Sequence, residues 1–278
     1  MSPFLALGAA CCWGVGDFFG GLMSRRQSVL AVVWISQIVG LIAVAVVVVA
    51  RGNDLPHASE LLWALAAGVF TVGTLIGFFG GMARGPMSLV APISATGVSI
   101  PVLVGIAGGE RPSALQIAGI LAACAGIVLA ARESGDAGAV GLKRVHVCVW
   151  FALLAAVCGG SQLVSLDRAA EHDAIFAVLV MRCTSVAIFS VAALVVRPAV
   201  ARETLPLLAL IGILDTTAVV LFAASAAEGL LSVSAVLACL YPVVTVALAR
   251  VRLGERLARP QAIGVGLAFT GVLLVTGG

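Results

Sequence analysis

The chain carries one unit twice. Glu110-Arg111, followed by Gln116, Gly119 and Gly126, returns as Glu255-Arg256, followed by Gln261, Gly264 and Gly271, each residue 145 positions from its counterpart. Gly14 and Gly159 keep the same spacing near the start of each copy. Each copy holds five apolar stretches, running approximately over 4–23, 29–50, 61–83, 86–108 and 113–131, then 146–166, 174–196, 205–227, 230–249 and 260–277. Helices of roughly 20 residues are long enough to cross a hydrocarbon core of about 30 Å. An odd number of crossings per copy makes the second copy enter the membrane upside-down. The expected architecture is therefore an all-α integral membrane protein of ten transmembrane helices in two inverted five-helix repeats, 1–132 and 146–278, with a connecting loop at 133–145.

Composition agrees. An apolar fraction of 62% with 10% charged residues excludes an ordinary soluble domain, because ten such spans with short connections leave no polar surface. A net charge of +3 offers no basic patch for nucleic acid. The chain begins Met1-Ser2-Pro3-Phe4 with no basic region ahead of the first span, so no cleavable signal is expected. Cys11, Cys12, Cys124, Cys148, Cys158, Cys183 and Cys239 all lie inside spans, none in a Cys-x-x-Cys pair. They read as small packing residues, and no disulfide framework, metal or cofactor is implied. The expected partners are a small-molecule substrate and membrane lipid, and nothing in the chain specifies an oligomeric state.

The loop charges are lopsided. Arg25, Arg26, Arg84, Arg132, Lys143, Arg144, Arg197, Arg202, Arg250, Arg252, Arg256 and Arg259 fall on one side of the ten spans, against Arg51, Arg111 and Arg168 on the other. The positive-inside rule places the first set in the cytoplasm and both termini outside.

Inverted repeats set a substrate site between the halves near mid-membrane, open alternately to each side. Ionisable residues within a span cost about 2.5–3.5 kcal/mol on insertion scales and mark pathways or paired sites. Three are present: Asp17 in span one, Arg182 in span seven and Asp215 in span eight, the last beside Thr216 and Thr217. The repeat partner of Asp17 is Gln162, that of Arg182 is Gln37, and Thr71 and Thr74 sit in the span matching that of Asp215. A carboxyl group in a low-dielectric surrounding holds its proton to higher pH than one in water. That makes Asp17 and Asp215 the candidates for proton coupling. Arg182 either pairs with one of these aspartates or forks onto a substrate carboxylate. Among the aromatics Trp13, Phe18, Trp34, Phe78, Phe222 and Tyr241, the two best placed are Trp13, near Asp17, and Tyr241, next to Pro242.

Pro92 and Pro101 in span four and Pro242 in span nine predict kinks in repeat-related helices, with Gly97 aligned to Pro242. Such weak points suit helices that line a cavity and bend during gating. In spans five and ten, Gly119, Ala123 and Gly126, and Gly264, Ala268 and Gly271, predict close helix packing. Glu110 and Glu255, each between Gly and Arg, are expected to cap the N-terminus of the span that follows.

Two five-span repeats, with Trp13-Gly14 or Cys158-Gly159 in the first span and a terminal Gly109-Glu110-Arg111 or Gly254-Glu255-Arg256 before small-residue helices, resemble the EamA-type transporters of the drug/metabolite transporter superfamily. The resemblance covers essentially the whole chain. Arg182 is similar to an arginine this family often carries in the second span of a repeat, and Gln37 departs from that pattern in the first. The resemblance implies a ten-helix basket whose cavity is lined mainly by spans one, three, four, six, eight and nine. Trp13, Asp17, Gln162, Asp215 and Tyr241 would then lie at or near it. It also implies export or exchange of amino acids, other metabolites or drugs across a bacterial inner membrane, with both termini in the cytoplasm, opposite to the charge count. Asp17 is not a residue the family pattern supplies.

The reading this supports is a secondary transporter of a small polar metabolite, amino-acid-like, working by alternating access. The alternative is proton-coupled efflux of lipophilic cations with Asp17 as the exchanged site. Sugar phosphates would call for several central Lys or Arg. A membrane enzyme would need clustered carboxylates or a His-Asp-Arg phosphate site, which this chain lacks, and intramembrane charges argue against a passive scaffold.

Overall fold

In hydrocarbon each backbone amide must find its partner within the chain, and a helix achieves this inside one segment. The computed structural model describes residues 2–51, 58–85, 87–130 and 142–253, with helical positions 263, 264, 266, 267, 270, 271 and 274. Among these residues every element is helical: α1 (Ser2–Arg26), α2 (Val29–Arg51), α3 (Ala58–Arg84), α4 (Met87–Ala95), a 3-10 turn (Thr96–Val98), α5 (Ser99–Ala107) and α6 (Ala114–Ala130), then α7 (Leu142–Ala169), α8 (Ala174–Val196), α9 (Leu205–Glu228), α10 (Leu231–Ala238) and α11 (Tyr241–Leu253). Six of them, α1 to α3 and α7 to α9, contain stretches long and apolar enough to cross a membrane. Ile93–Ala107, Ala114–Gly126 and Leu231–Thr245 are apolar but shorter. They coincide with expected spans four, five and nine. Most of the tenth expected span, with Glu255, Arg256, Arg259 and Gln261, lies outside the described residues. Outward-facing side chains such as Val49 (83% exposed) on α2 and Val195 (80%) on α8 form the kind of apolar exterior that only lipid solvates well.

Helix ends follow local chemistry. Asp173 caps α8, its Oδ1 accepting from the backbone amides of Ile175 (2.9 Å) and Phe176 (3.2 Å). Ser113 and Gln116 form a reciprocal capping box on α6: the Gln116 amide donates to Ser113 Oγ (3.1 Å) and the Ser113 amide to Gln116 Oε1 (2.8 Å).

The two halves interlock. α3 packs chiefly on α7 and α8, α1 on α9, α2 on α8 and α9. Exchanging each helix for its repeat partner turns α3·α7 into α9·α1 and α2·α9 into α8·α3, so the packing is self-similar under that exchange. Along α3 and α7, Gly73 lies by Cys158, Gly77 by Ala155 and Gly85 by Cys148, so these helices run antiparallel. α1 and α3 run parallel, Gly20 lying by Phe79 and Gly21 by Met82.

Helix interruptions lie just ahead of Pro101 and Pro242. Pro101 is the third residue of α5 and Pro242 the second of α11. A proline lacks the backbone donor and its ring crowds the carbonyl four residues back, at Gly97 for Pro101 and at Ala238 for Pro242. The interruptions precede these prolines, at Thr96–Val98 in the first half and at residues 239–240 in the second. Pro92 lies within α4, ahead of the first interruption. Close approach of α7 accompanies that break: a side chain on Gly97 would overlap the backbone of Ala156, and one on Gly160 would overlap the carbonyl oxygen of Gly97.

The charge-rich face is coherent. Arg25 donates from Nε to the Met82 carbonyl and from Nη2 to that of Gly85 (both 3.2 Å), joining the ends of α1 and α3. At the opposite face His172 and Glu60 pair at 2.5 Å and Arg51 and Asp173 at 4.0 Å.

Candidate substrate cavity

A cavity of about 90 Å³ lies between the halves, several times the space one ordered water needs. Its wall is built from α1 (Trp13, Asp17), α3 (Thr71, Thr74, Phe78), the α4–α5 interruption (Ser94, Gly97), α7 (Gln162), α9 (Asp215) and the α10–α11 junction (Cys239, Tyr241). The interruptions thus sit at the wall, where half-helix ends can face a cavity instead of lipid. A smaller void continues past Asp17 toward Ser36 and Ile211, with Trp13 and Asp215 on its boundary too.

The two aspartates differ in kind. Asp215 is saturated: Trp13 Nε1 donates to Oδ1 at 3.0 Å, and Oδ2 accepts from Gln37 Nε2 at 3.0 Å and from Arg182 Nη1 at 2.8 Å. Arg182 Nη1 also donates to Gln37 Oε1 at 2.6 Å, and Ser185 Oγ donates to the same oxygen at 2.9 Å. Asp17, by contrast, has no hydrogen-bond or ion-pair partner among the described residues and faces both voids. A carboxylate that meets no donor among the described residues is available to a proton or a cationic ligand.

Arg182 is not at the cavity. It is fully buried behind Asp215, at the α2–α8 contact, so it serves as the counter-charge and not as a substrate contact. A carboxylate ligand cannot reach it without displacing Asp215. Its Nε and Nη2, and the nearby Thr216 Oγ1, have no partner among the described residues. Gln37, not singled out as a site residue from sequence, completes this network. The signal was present: Gln37 and Arg182 are repeat equivalents, and equivalent residues can touch only where the repeats' symmetry axis passes.

The other polar groups are partly spent. Thr71 and Thr74 donate to the carbonyls of Ala67 and Phe70 in their own helix, each at 2.8 Å. Tyr241 donates weakly to the Ala91 carbonyl (3.5 Å) and meets Phe78 edge-on, with ring centroids 5.9 Å apart. Gln162 Nε2 has only the sulfur of Met181 at 3.9 Å. Of the remaining aromatics, Phe18 and Phe222 are buried in packing, and Trp34 Nε1 donates to Ser190 Oγ at 3.0 Å.

Glu110 does cap a helix, but not the one that follows it. Its carboxylate accepts from the Leu231 amide (2.6 Å), the Ser232 amide (3.1 Å) and Ser232 Oγ (2.6 Å), at the N-terminus of α10 in the other half. The helix after it, α6, is served by Ser113 and Gln116. Glu255 lies outside the described residues.

The profile of the EamA-like transporter family matches the chain twice, over residues 1–132 and 146–277. Among solved structures 27 chains match. One crystal structure aligns with a TM-score of 0.76 at 17% identity, covering 99% of this chain and 95% of that one, a likeness of fold. No curated protein sequence matches. The apolar helices and the family match define a multi-pass membrane transporter of the drug/metabolite superfamily, not an enzyme. The chain belongs to the EamA-like transporter family.

Proposed function

We propose that this protein is a secondary active transporter that carries a small polar metabolite, an amino acid or similar compound, across the bacterial inner membrane by alternating access. In this reading ten spans form two inverted repeats, and the central cavity faces each side in turn. The antiparallel course of α3 and α7 supports the inversion, since α1 runs parallel to α3 and α7 is the repeat partner of α1. The observation that carries the reading is Asp17: a carboxylate without a partner among the described residues, in a cavity between the halves. It takes up a proton in one phase of the cycle and, when charged, an ammonium group of the substrate in another. Asp215, neutralised by Arg182, orients Trp13 instead of exchanging protons.

One observation favours the second reading, efflux of lipophilic cations. With Asp215 paired, the net charge at the cavity wall is the single anion Asp17, in the company of Trp13, Phe78 and Tyr241, whose ring faces attract cations. Uptake by proteoliposomes of labelled amino acids and of one lipophilic cation, with and without a pH gradient, tests both. Saturable amino-acid uptake supports the metabolite reading. Gradient-driven uptake of the cation alone replaces it with the second, and no flux of either from folded protein contradicts both.

A further inference from the structure

We infer that Glu110 is the clasp of a gate, and that α10 is the gate it holds shut on the membrane face bearing Arg51, Arg111 and Arg168. The inference rests on the alternating-access reading and assigns one of its moving parts. α10 is a half-helix of eight residues, Leu231–Ala238, and every one of them is buried. It packs against α1, α5 and α9, and its first residues, Leu231 and Ser232, meet Glu110, the neighbour of Arg111, at that face. Its partner beyond the junction, α11, runs toward the other face and exposes Ala247 and Val251. α10 therefore stands as a plug between the Cys239–Tyr241 wall of the cavity and that face.

What fixes the plug is polar and crosses from one half to the other. Leu231 and Ser232 are the first two residues of α10, so their amides have no acceptor within the helix. Glu110, from the first half, supplies one, and Ser232 adds its hydroxyl to the same carboxylate. The first half is shaped for this reach. Gly109 takes φ +99°, a conformation that favours glycine, and turns the chain after α5. A side chain on Gly105 would collide with the Glu110 carboxylate and push it off its present position. Within the second half α10 has a further tie, between Ser234 and Ser225 (2.8 Å). That bond moves with α9, whereas the Glu110 bonds must break if the halves part on this face.

The test uses the full-length protein with its native cysteines replaced by alanine and a single reporter, Thr74→Cys, in the cavity wall. A membrane-impermeant maleimide is applied to sealed vesicles from each face in turn. Relative to this parent, Glu110→Gln is expected to raise labelling from the Arg111 face several-fold and lower it from the other. Ser232→Ala is expected to do the same to a smaller extent, and it stands alone if the Glu110 variant does not fold. A role in stability only would lower the melting temperature and leave the sidedness unchanged, and that result overturns the proposal. If the sidedness shifts while the substrate panel shows no flux, the clasp stands and the transporter reading fails.

Discussion

Asp17 and Asp215 show how far a residue's type alone can be read. Both stand out in sequence because a charge inside a span is costly. Their different fates depend on helix rotation, which sequence does not carry: α9 sets Asp215 against Arg182, while Asp17 meets no donor among the described residues. Opposite effects follow from neutralising each. Asp215→Ala leaves the buried Arg182 guanidinium without its counter-charge, a loss of roughly 3–5 kcal/mol for a broken buried pair. Denaturant or thermal unfolding in detergent should show that loss, and an unchanged midpoint would contradict the pairing. Asp17→Asn removes a charge that no hydrogen bond or ion pair among the described residues holds, so the protein should fold as well as the wild type. Its transport should lose the response to a pH gradient. A retained response would remove Asp17 from proton coupling. The resemblance pointed to Arg182 as a family-like arginine, and the structure shows why its position does not make it a ligand.

At the scale of elements, the repeat spacing locates the weak points of spans four and nine. The backbone interruptions at Gly97 and at residues 239–240 lie within four residues ahead of Pro101 and Pro242, the stretch a proline perturbs. The close contact of Gly97 and Gly160 was not legible, because nothing local to either residue names the other. Gly97→Val should therefore damage folding and yield far more than Pro101→Ala or Pro242→Ala, which remove atoms and so force no overlap between helices. Melting temperatures and membrane yield of the three variants check the order, and proline variants as damaged as Gly97→Val would contradict it. Glu110 carries a related lesson. An anion does sit at a helix N-terminus, but it is that of α10, because Ser113-x-x-Gln116 already caps α6.

For the whole molecule, the duplicated motif and the apolar spacing made the class of fold legible before any coordinates. The interlocking of the halves was not, since it is a property of long-range packing. The asymmetry of the loop charges remains the strongest physical guide to orientation. It places Arg25, Arg84 and Arg197 in the cytoplasm and the N-terminus outside. An impermeant reagent on intact cells should therefore reach a cysteine added at the N-terminus and not one at Arg197. The reverse pattern would show that the family's usual orientation prevails over the charge bias.

The central claim is one site that faces each side in turn, and the most direct test is trans-stimulation. Proteoliposomes are loaded with whichever labelled substrate the panel identifies, and its efflux is timed with and without the same unlabelled compound outside. An alternating site returns faster when it is reloaded, so external substrate should accelerate efflux. Efflux that ignores the outer substrate, or continues in proportion to concentration without saturating, would mean a pore and would contradict the account.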